Sequence, residues 1–198
     1  MREFPILTAI LMTPLVGALL ILGLPRERTR AIRWTALGFS LISLGLALVA
    51  LARLDLSRPE PQLVERWVWA PAIGASYTVG VDGISLWLVL LTALIFPLAL
   101  AASWTIEERV KEYMALMLAL ETGVLGVFLS LDLLLFYIFW EFTLVPMTLL
   151  IGIWGGPRRV YAAVKFFLYT MAGSVFMLVA IVALWLLSRP LTGTGTFD

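Results

Sequence analysis

Three ionisable side chains interrupt stretches that are otherwise apolar: Glu121 within Tyr113–Leu131, Glu141 within Leu133–Gly156, and Lys165 within Val160–Ser188. Each stretch meets the roughly 20 residues that a helix needs to cross a bilayer. A charge at the bilayer centre costs about 2.5–3.5 kcal/mol on insertion scales. Such residues in consecutive segments point to a function, and the chemistry open to them is proton transfer. Carboxylates, an ammonium and tyrosine hydroxyls joined by ordered water conduct protons without histidine.

Depth supports this. Asp132 marks a tight turn between the fourth and fifth stretches; Glu121 lies 11 residues before it and Glu141 lies 9 after it. At about 1.5 Å rise per residue both carboxylates sit roughly 14–16 Å from the turn, near the midplane of a ~30 Å core. The stretches flanking so short a turn are antiparallel neighbours.

Each charge also belongs to a stripe. Tyr137, Glu141, Thr148 and Gly152 share one helical face, and Tyr161, Lys165, Tyr169 and Gly173 recur every fourth residue. Met114, Met117 and Glu121 share a face, while Thr122, Gly126 and Ser130 form a small-residue stripe suited to close packing. Polar stripes facing one another are expected to hold water.

The individual residues admit two readings each. Glu141 is a proton relay or half of a structural ion pair. Pro146, five residues on, frees the carbonyl of Phe142 and favours a hydrated site beside it. Glu121 is a relay member or a packing residue. Lys165, about 7–8 Å inside its helix, either snorkels to the interface or pairs with Glu141, about one turn away in depth. Asp132 is expected as a helix N-cap. Glu3, Glu27, Asp55, Glu60 and Glu65 are read as loop charges.

The elements that must position these groups are six helices near residues 4–24, 34–52, 83–106, 113–131, 133–156 and 160–188, joined by one long outer loop, 53–82. The fold class is therefore all-α, a polytopic membrane helix bundle. The first stretch lacks a cleavage signature and its apolar run is too long for a signal peptide. Loop Lys and Arg set the orientation. Arg26, Arg28, Arg30, Arg33, Arg109, Lys111, Arg158 and Arg159 lie on one side, against Arg2, Arg53, Arg58, Arg66 and Arg189 on the other. The richer side is assigned to the cytoplasm, with both ends of the segment outside.

In the outer loop, Trp67-Val68-Trp69 and Tyr77-Thr78-Val79 flank Ala70–Ser76 and predict a short interfacial hairpin. Asp82 reads as an N-cap for the third helix, Pro97 as a kink within it, and Glu107–Glu112 as a solvated turn. The polar tail after Thr192 reads as the start of a loop leading to a further segment.

Composition narrows the functions. The chain has 198 residues, 62% hydrophobic and 14% charged, where a soluble domain carries roughly a quarter charged residues. The surface therefore faces lipid. A net charge of +1 with scattered basic residues gives no argument for nucleic acid. Cysteine and histidine are both absent, which leaves no ligand set for iron–sulfur clusters or zinc and no Ser-His-Asp or Cys-His nucleophile. Asparagine is also absent and Gln62 is the only glutamine, a thermophile tendency.

The segment Leu135-Phe136-Tyr137-Ile138-Phe139-Trp140-Glu141-Phe142-Thr143-Leu144-Val145-Pro146 resembles the fifth-helix signature of the antiporter-like membrane-arm subunits of respiratory complex I, the proton-pumping NADH:quinone oxidoreductase. Val81–Leu86 resembles that family's entry to helix three and Lys165–Ser174 its helix six. Among the three related subunits the likeness is strongest to chain M, called chain 4 in mitochondria. The resemblance implies a fourteen-helix fold with two inverted five-helix repeats, of which this chain is an N-terminal portion. It implies a buried Glu/Lys proton relay, with Glu141 at the helix-five glutamate, Glu121 at a looser helix-four position and Lys165 at a position that varies. The lysine that the family pairs with the helix-five glutamate has no counterpart in these 198 residues.

By the same resemblance, the chain itself carries no cofactor. NADH, flavin, iron–sulfur clusters and quinone are expected in partner subunits of the membrane and peripheral arms, and the location is the bacterial cytoplasmic membrane, crossed many times. The alternatives are a subunit of a multisubunit cation/proton antiporter, a membrane-bound hydrogenase arm, or a structural scaffold whose buried charges only fix packing.

Overall fold

A computed structural model describes residues 4–55, 57–192 and 195–197, without side chains for 191–192. Arg2 and Glu3 lie outside the described residues, as do Gly193, Thr194 and Asp198 of the tail. The order of elements is α1 (Ile6–Gly23), α2 (Thr29–Arg53), β1 (Gln62–Ala70), β2 (Ala75–Val81), α3 (Ser85–Ala102), α4 (Val110–Leu129), α5 (Leu133–Trp154) and α6 (Arg159–Thr192). All six helices are long and apolar enough to cross a membrane. The second helix starts before its apolar run, so Arg30 and Arg33 are helical. The third continues through Pro97, and a short 3₁₀ turn at Ser103–Thr105 closes it.

The fourth helix is the hub, packing on α1, α2, α3 and α5, whereas α6 rests on α5. Small residues permit the closest approaches, as expected where helices associate by packing rather than by escaping water. A Cβ on Gly126 would stand 2.3 Å from the Phe139 ring, and one on Gly123 would stand 2.7 Å from Thr143 Cγ2. These two positions run α4 and α5 antiparallel.

Of three apolar clusters among the described residues, the two larger fill the part of the bundle around α4. The one on the hairpin side includes Leu7, Leu11, Ala47, Val89, Leu125 and Leu129. The one on the opposite side includes Ala18, Ala36, Phe96, Met114 and Leu118. Between them lies a thin layer made of buried Pro14, Ser40, Ser43, Glu121 and Thr122.

The hairpin forms as the sequence suggests, with Trp67 opposite Tyr77 and Val68 opposite Ser76. Gly74 at its tip has φ 69, the left-handed region that a residue with a Cβ avoids. Leu63 also adopts positive φ, 53, beside a register shift between Gln62 and Glu65. Leu63 then packs on the hairpin-side cluster, and Glu65 turns to α1.

Candidate functional site

Glu121 is completely buried. Its Oε1 accepts a hydrogen bond from Ser40 Oγ at 3.0 Å, and Oε2 is buried with no hydrogen-bond partner among the described residues. The carboxyl therefore points to α2, not to α5. Ser40 was not singled out by the sequence, because serines such as Ser40 and Ser43 in an otherwise apolar helix look like ordinary small-residue packing. The expected face of Met114, Met117 and Glu121 is buried in the core. Thr122 Oγ1 bonds back to the Leu118 carbonyl at 3.0 Å.

Glu141 lies mid-helix on α5, and its Oε1 is buried without a hydrogen-bond partner among the described residues. Its stripe mate Gly152 faces α6, where a Cβ would be 3.4 Å from the Ala163 Cβ. Eleven residues separate Glu141 from Gly152, which returns close to the same angular position at 3.6 residues per turn. Glu141 thus lies on the α6 side, while Phe139 and Thr143 meet α4. The two glutamates lie on different interfaces, about one turn apart in depth by the α4–α5 register.

Lys165 is exposed on α6, its Nζ 5.7 Å from the Tyr161 ring centre and 5.8 Å from that of Tyr169. It lines a groove of about 560 Å³ with Arg158, Arg159 and Phe166. Tyr161 and Tyr169 are exposed, and Gly173 meets nothing. The expected confrontation of polar stripes is therefore not found, since the α6 stripe points away from the other helices. Among the described residues no ion pair joins Lys165 to Glu141. Glu141 lies 13 residues before the end of α5 and Lys165 lies 6 after the start of α6. At about 1.5 Å per residue they differ in depth by roughly two turns, not one.

Asp132 is the N-cap of α5, accepting from the amides of Leu134 and Leu135 at 2.9 Å each. The fold adds a second role: Oδ2 accepts from the Ser76 amide at 2.9 Å and from Ser76 Oγ at 3.3 Å. The Leu131 amide donates to the Thr78 carbonyl beside it. One buried carboxylate thus joins a helix start to the hairpin.

Asp82 accepts from the amides of Ile84 (2.9 Å) and Ser85 (2.7 Å), and its own amide donates to Ser85 Oγ. The Ser85 and Ile84 amides hold its carboxyl below the usual carboxylate range.

Glu65 corrects its reading as a loop charge. It accepts from the amides of Leu7 at 2.8 Å and Thr8 at 3.0 Å and from the Thr8 hydroxyl, capping α1 from the hairpin. Tyr77 OH meets Thr8 Oγ1 at 2.8 Å, and burial pushes the Tyr77 hydroxyl above its ordinary pKa. The turn before α4 is not merely solvated, since Glu112 pairs with Arg26 at 2.9 Å and Trp154 Nε1 donates to the Glu108 carbonyl.

The family described as "NADH:quinone oxidoreductase/Mrp antiporter, TM" matches residues 130–196, which include the helix carrying Glu141. Over 197 residues, 99% of this chain, the sequence is 45% identical to NAD(P)H-quinone oxidoreductase chain 4 2 of Microcystis aeruginosa, covering 35% of that protein. Residues 130–196 match this antiporter-like family, and the likeness to its named relatives runs along most of the chain. It spans about a third of the length of the curated relatives it matches.

Solved members share the fold. A chain of respiratory complex I from Thermus thermophilus with bound NADH superposes with TM-score 0.78 and 32% identity, over 97% of this chain and 37% of that one. A chain of the Mrp complex from Dietzia sp. DQ12-45-1b gives 0.76 and 26%, over 96% and 20%. These antiporter-like neighbours come from multisubunit complexes.

Proposed function

We propose that this chain is part of a longer, proton-translocating membrane-arm subunit of an NADH:quinone oxidoreductase, embedded in a bacterial cytoplasmic membrane. Its place in the enzyme is proton transfer. NADH, flavin, iron–sulfur clusters and quinone belong to partner subunits on this reading, which accords with a chain that has no cysteine or histidine to ligate a cluster.

The observation that carries the reading is Glu141. It is a mid-helix carboxyl with an unpartnered buried oxygen, in the segment of the chain that matches the family. A cation brought beside a carboxyl favours release of its proton, so a cation moved by the driving reaction would act as the switch. Lys165 is two turns away and exposed in this structure, so the cation comes from a segment beyond these residues or from a rearrangement of α6. Glu121 is a further member of the relay, on the other side of α4.

The test is the number of protons translocated per electron pair by assembled complexes. Glu141→Gln keeps shape and removes titration, so translocation is strongly reduced while assembly is normal. Glu141→Asp is intermediate, and Lys165→Ala has a smaller effect. Full translocation by the Glu141→Gln complex would refute the relay and leave Glu141 a packing residue. The likeness to the Mrp complex supports a second reading, a subunit of a cation/proton antiporter. Co-purification with flavin and iron–sulfur subunits decides for the first.

A further inference from the structure

We infer that Glu121 is a proton-holding site of its own, joined to the hairpin side of the membrane by a polar branch between α1 and α2 rather than through Glu141. This deepens the proposed function and rests on it.

The branch is built from groups that the bundle has no packing reason to bury. Ser40 and Ser43, one turn apart on α2, are both fully buried, and Ser40 Oγ donates to Glu121. Ser43 Oγ donates to the Ile10 carbonyl at 3.1 Å. That carbonyl is available because its usual helical donor would be the amide of residue 14, which is Pro14. Two residues towards the hairpin side stands Thr8, whose hydroxyl is bonded to both Glu65 and Tyr77. In height the polar groups descend from the hairpin to Glu121: Thr8 and Ile10 differ by about 3 Å along α1, on faces about 200° apart, and Ser43 and Ser40 by about 4.5 Å along α2. Waters held by two or more polar partners would complete the path between them.

Among the described residues, the carboxyl has no partner outside this branch. Glu121 Oε2 is buried and unpartnered among the described residues. On α1 and α3 the described spans carry no charge, α2 carries only Arg30, Arg33 and Arg53 near its ends, and Glu141 faces away from α4 on α5. Lys111 and Glu112 lie at the opposite end of α4, occupied by the Leu24 carbonyl and Arg26. A carboxyl so placed keeps its proton until a neighbour accepts it. For a proton to leave Glu121, the Ser40 hydroxyl turns from Oε1, or a water beside Oε2 takes the proton. Each hydroxyl or water then takes one proton and gives up its own, and water makes the step between Ser43 and Thr8, because the Ile10 carbonyl accepts but has no proton to pass on. Glu121 is left as a carboxylate.

The test uses assembled complexes carrying Glu121→Gln, Ser40→Ala or Ser43→Ala. Infrared difference spectra should contain a protonated-carboxyl carbonyl band that exchanges in D₂O and vanishes in Glu121→Gln. Ser40→Ala should move that band to higher frequency, because a donor to the carbonyl is lost. Ser43→Ala should leave its position and slow its exchange. Glu121→Gln should also lower protons translocated per electron pair. A band that is missing, that does not exchange, or whose exchange ignores Ser43→Ala overturns the inference, as does full translocation by the Glu121→Gln complex. The serine variants carry the test if the glutamine variant fails to assemble. Full translocation by Glu141→Gln with these infrared results intact would refute the relay through Glu141 alone.

Discussion

Replacing Asp132 by Ala should loosen two elements at once. The side chain is almost completely buried and accepts four hydrogen bonds, two from the first turn of α5 and two from Ser76 of the hairpin. Losing an N-cap costs about 0.5–2 kcal/mol. The Ser76 amide would lose this acceptor in a buried setting, which costs about 1–3 kcal/mol more. The sum, about 1.5–5 kcal/mol, is large beside the stability of local openings. Asp132→Asn keeps an acceptor for the α5 amides but sets its NH₂ against the Ser76 N–H, so only the second cost applies. Hydrogen exchange by mass spectrometry on assembled complexes reads both losses. Peptides covering residues 75–79 and 133–136 should exchange faster in the Ala variant, and only the former markedly so in the Asn variant. Unchanged protection of residues 75–79 in both variants would refute the latch. Equal loss over both segments in Asn would show that the two roles cannot be separated.

Further outcomes follow from the same geometry. Glu65→Ala removes the acceptor of the Leu7 and Thr8 amides and the Thr8 hydroxyl; a loss of about 0.5–2 kcal/mol should appear as faster exchange at the start of α1 and proteolysis of the hairpin. Gly126→Ala drives a Cβ to 2.3 Å from the Phe139 ring; overpacking of about 1–3 kcal/mol should lower the thermal midpoint, and Gly38→Ala, where nothing stands within 4 Å, should not. Asp82 has its carboxyl pKa lowered by the amides it caps. Its contribution is thus complete above the ordinary value of 3.8 and is lost as pH falls below it, so exchange at Ile84 and Ser85, corrected for intrinsic rates, should rise only in strong acid. Asp82→Asn should abolish that pH dependence.

Much of the architecture is local and was legible. Six apolar runs of spanning length become six helices because unpaired backbone groups are intolerable in lipid. The hairpin follows from alternating aromatic and β-branched residues around a glycine tip. Asp132 is the N-cap of α5, which begins at the next residue, and Asp82 accepts the Ile84 and Ser85 amides where α3 begins, with Ile84 at the N-cap position, so both first roles are readable from spacing. The likeness to the antiporter-like family was likewise carried by short runs such as Leu135–Pro146.

Only the tertiary structure decided which way the polar groups face. A helix of a soluble protein marks its buried side by hydrophobic periodicity, but a membrane helix is apolar all round and loses that phase. Hence the α6 stripe bearing Lys165 could be aimed at α5 from its spacing, whereas the packing of Gly152 on Ala163 turns Tyr161 and Tyr169 outward. Glu121 and Glu141 lie at similar counts from Asp132 in the sequence, yet the register sets them about one turn apart in depth, and α4 sends one carboxyl to Ser40 while α5 directs the other to its far side. Glu65 looked like any loop acid until the hairpin folded over the first turn of α1, 57 residues away from Thr8 in sequence. Partners so distant along the chain leave no local pattern, and their identity is settled by which helices pack together.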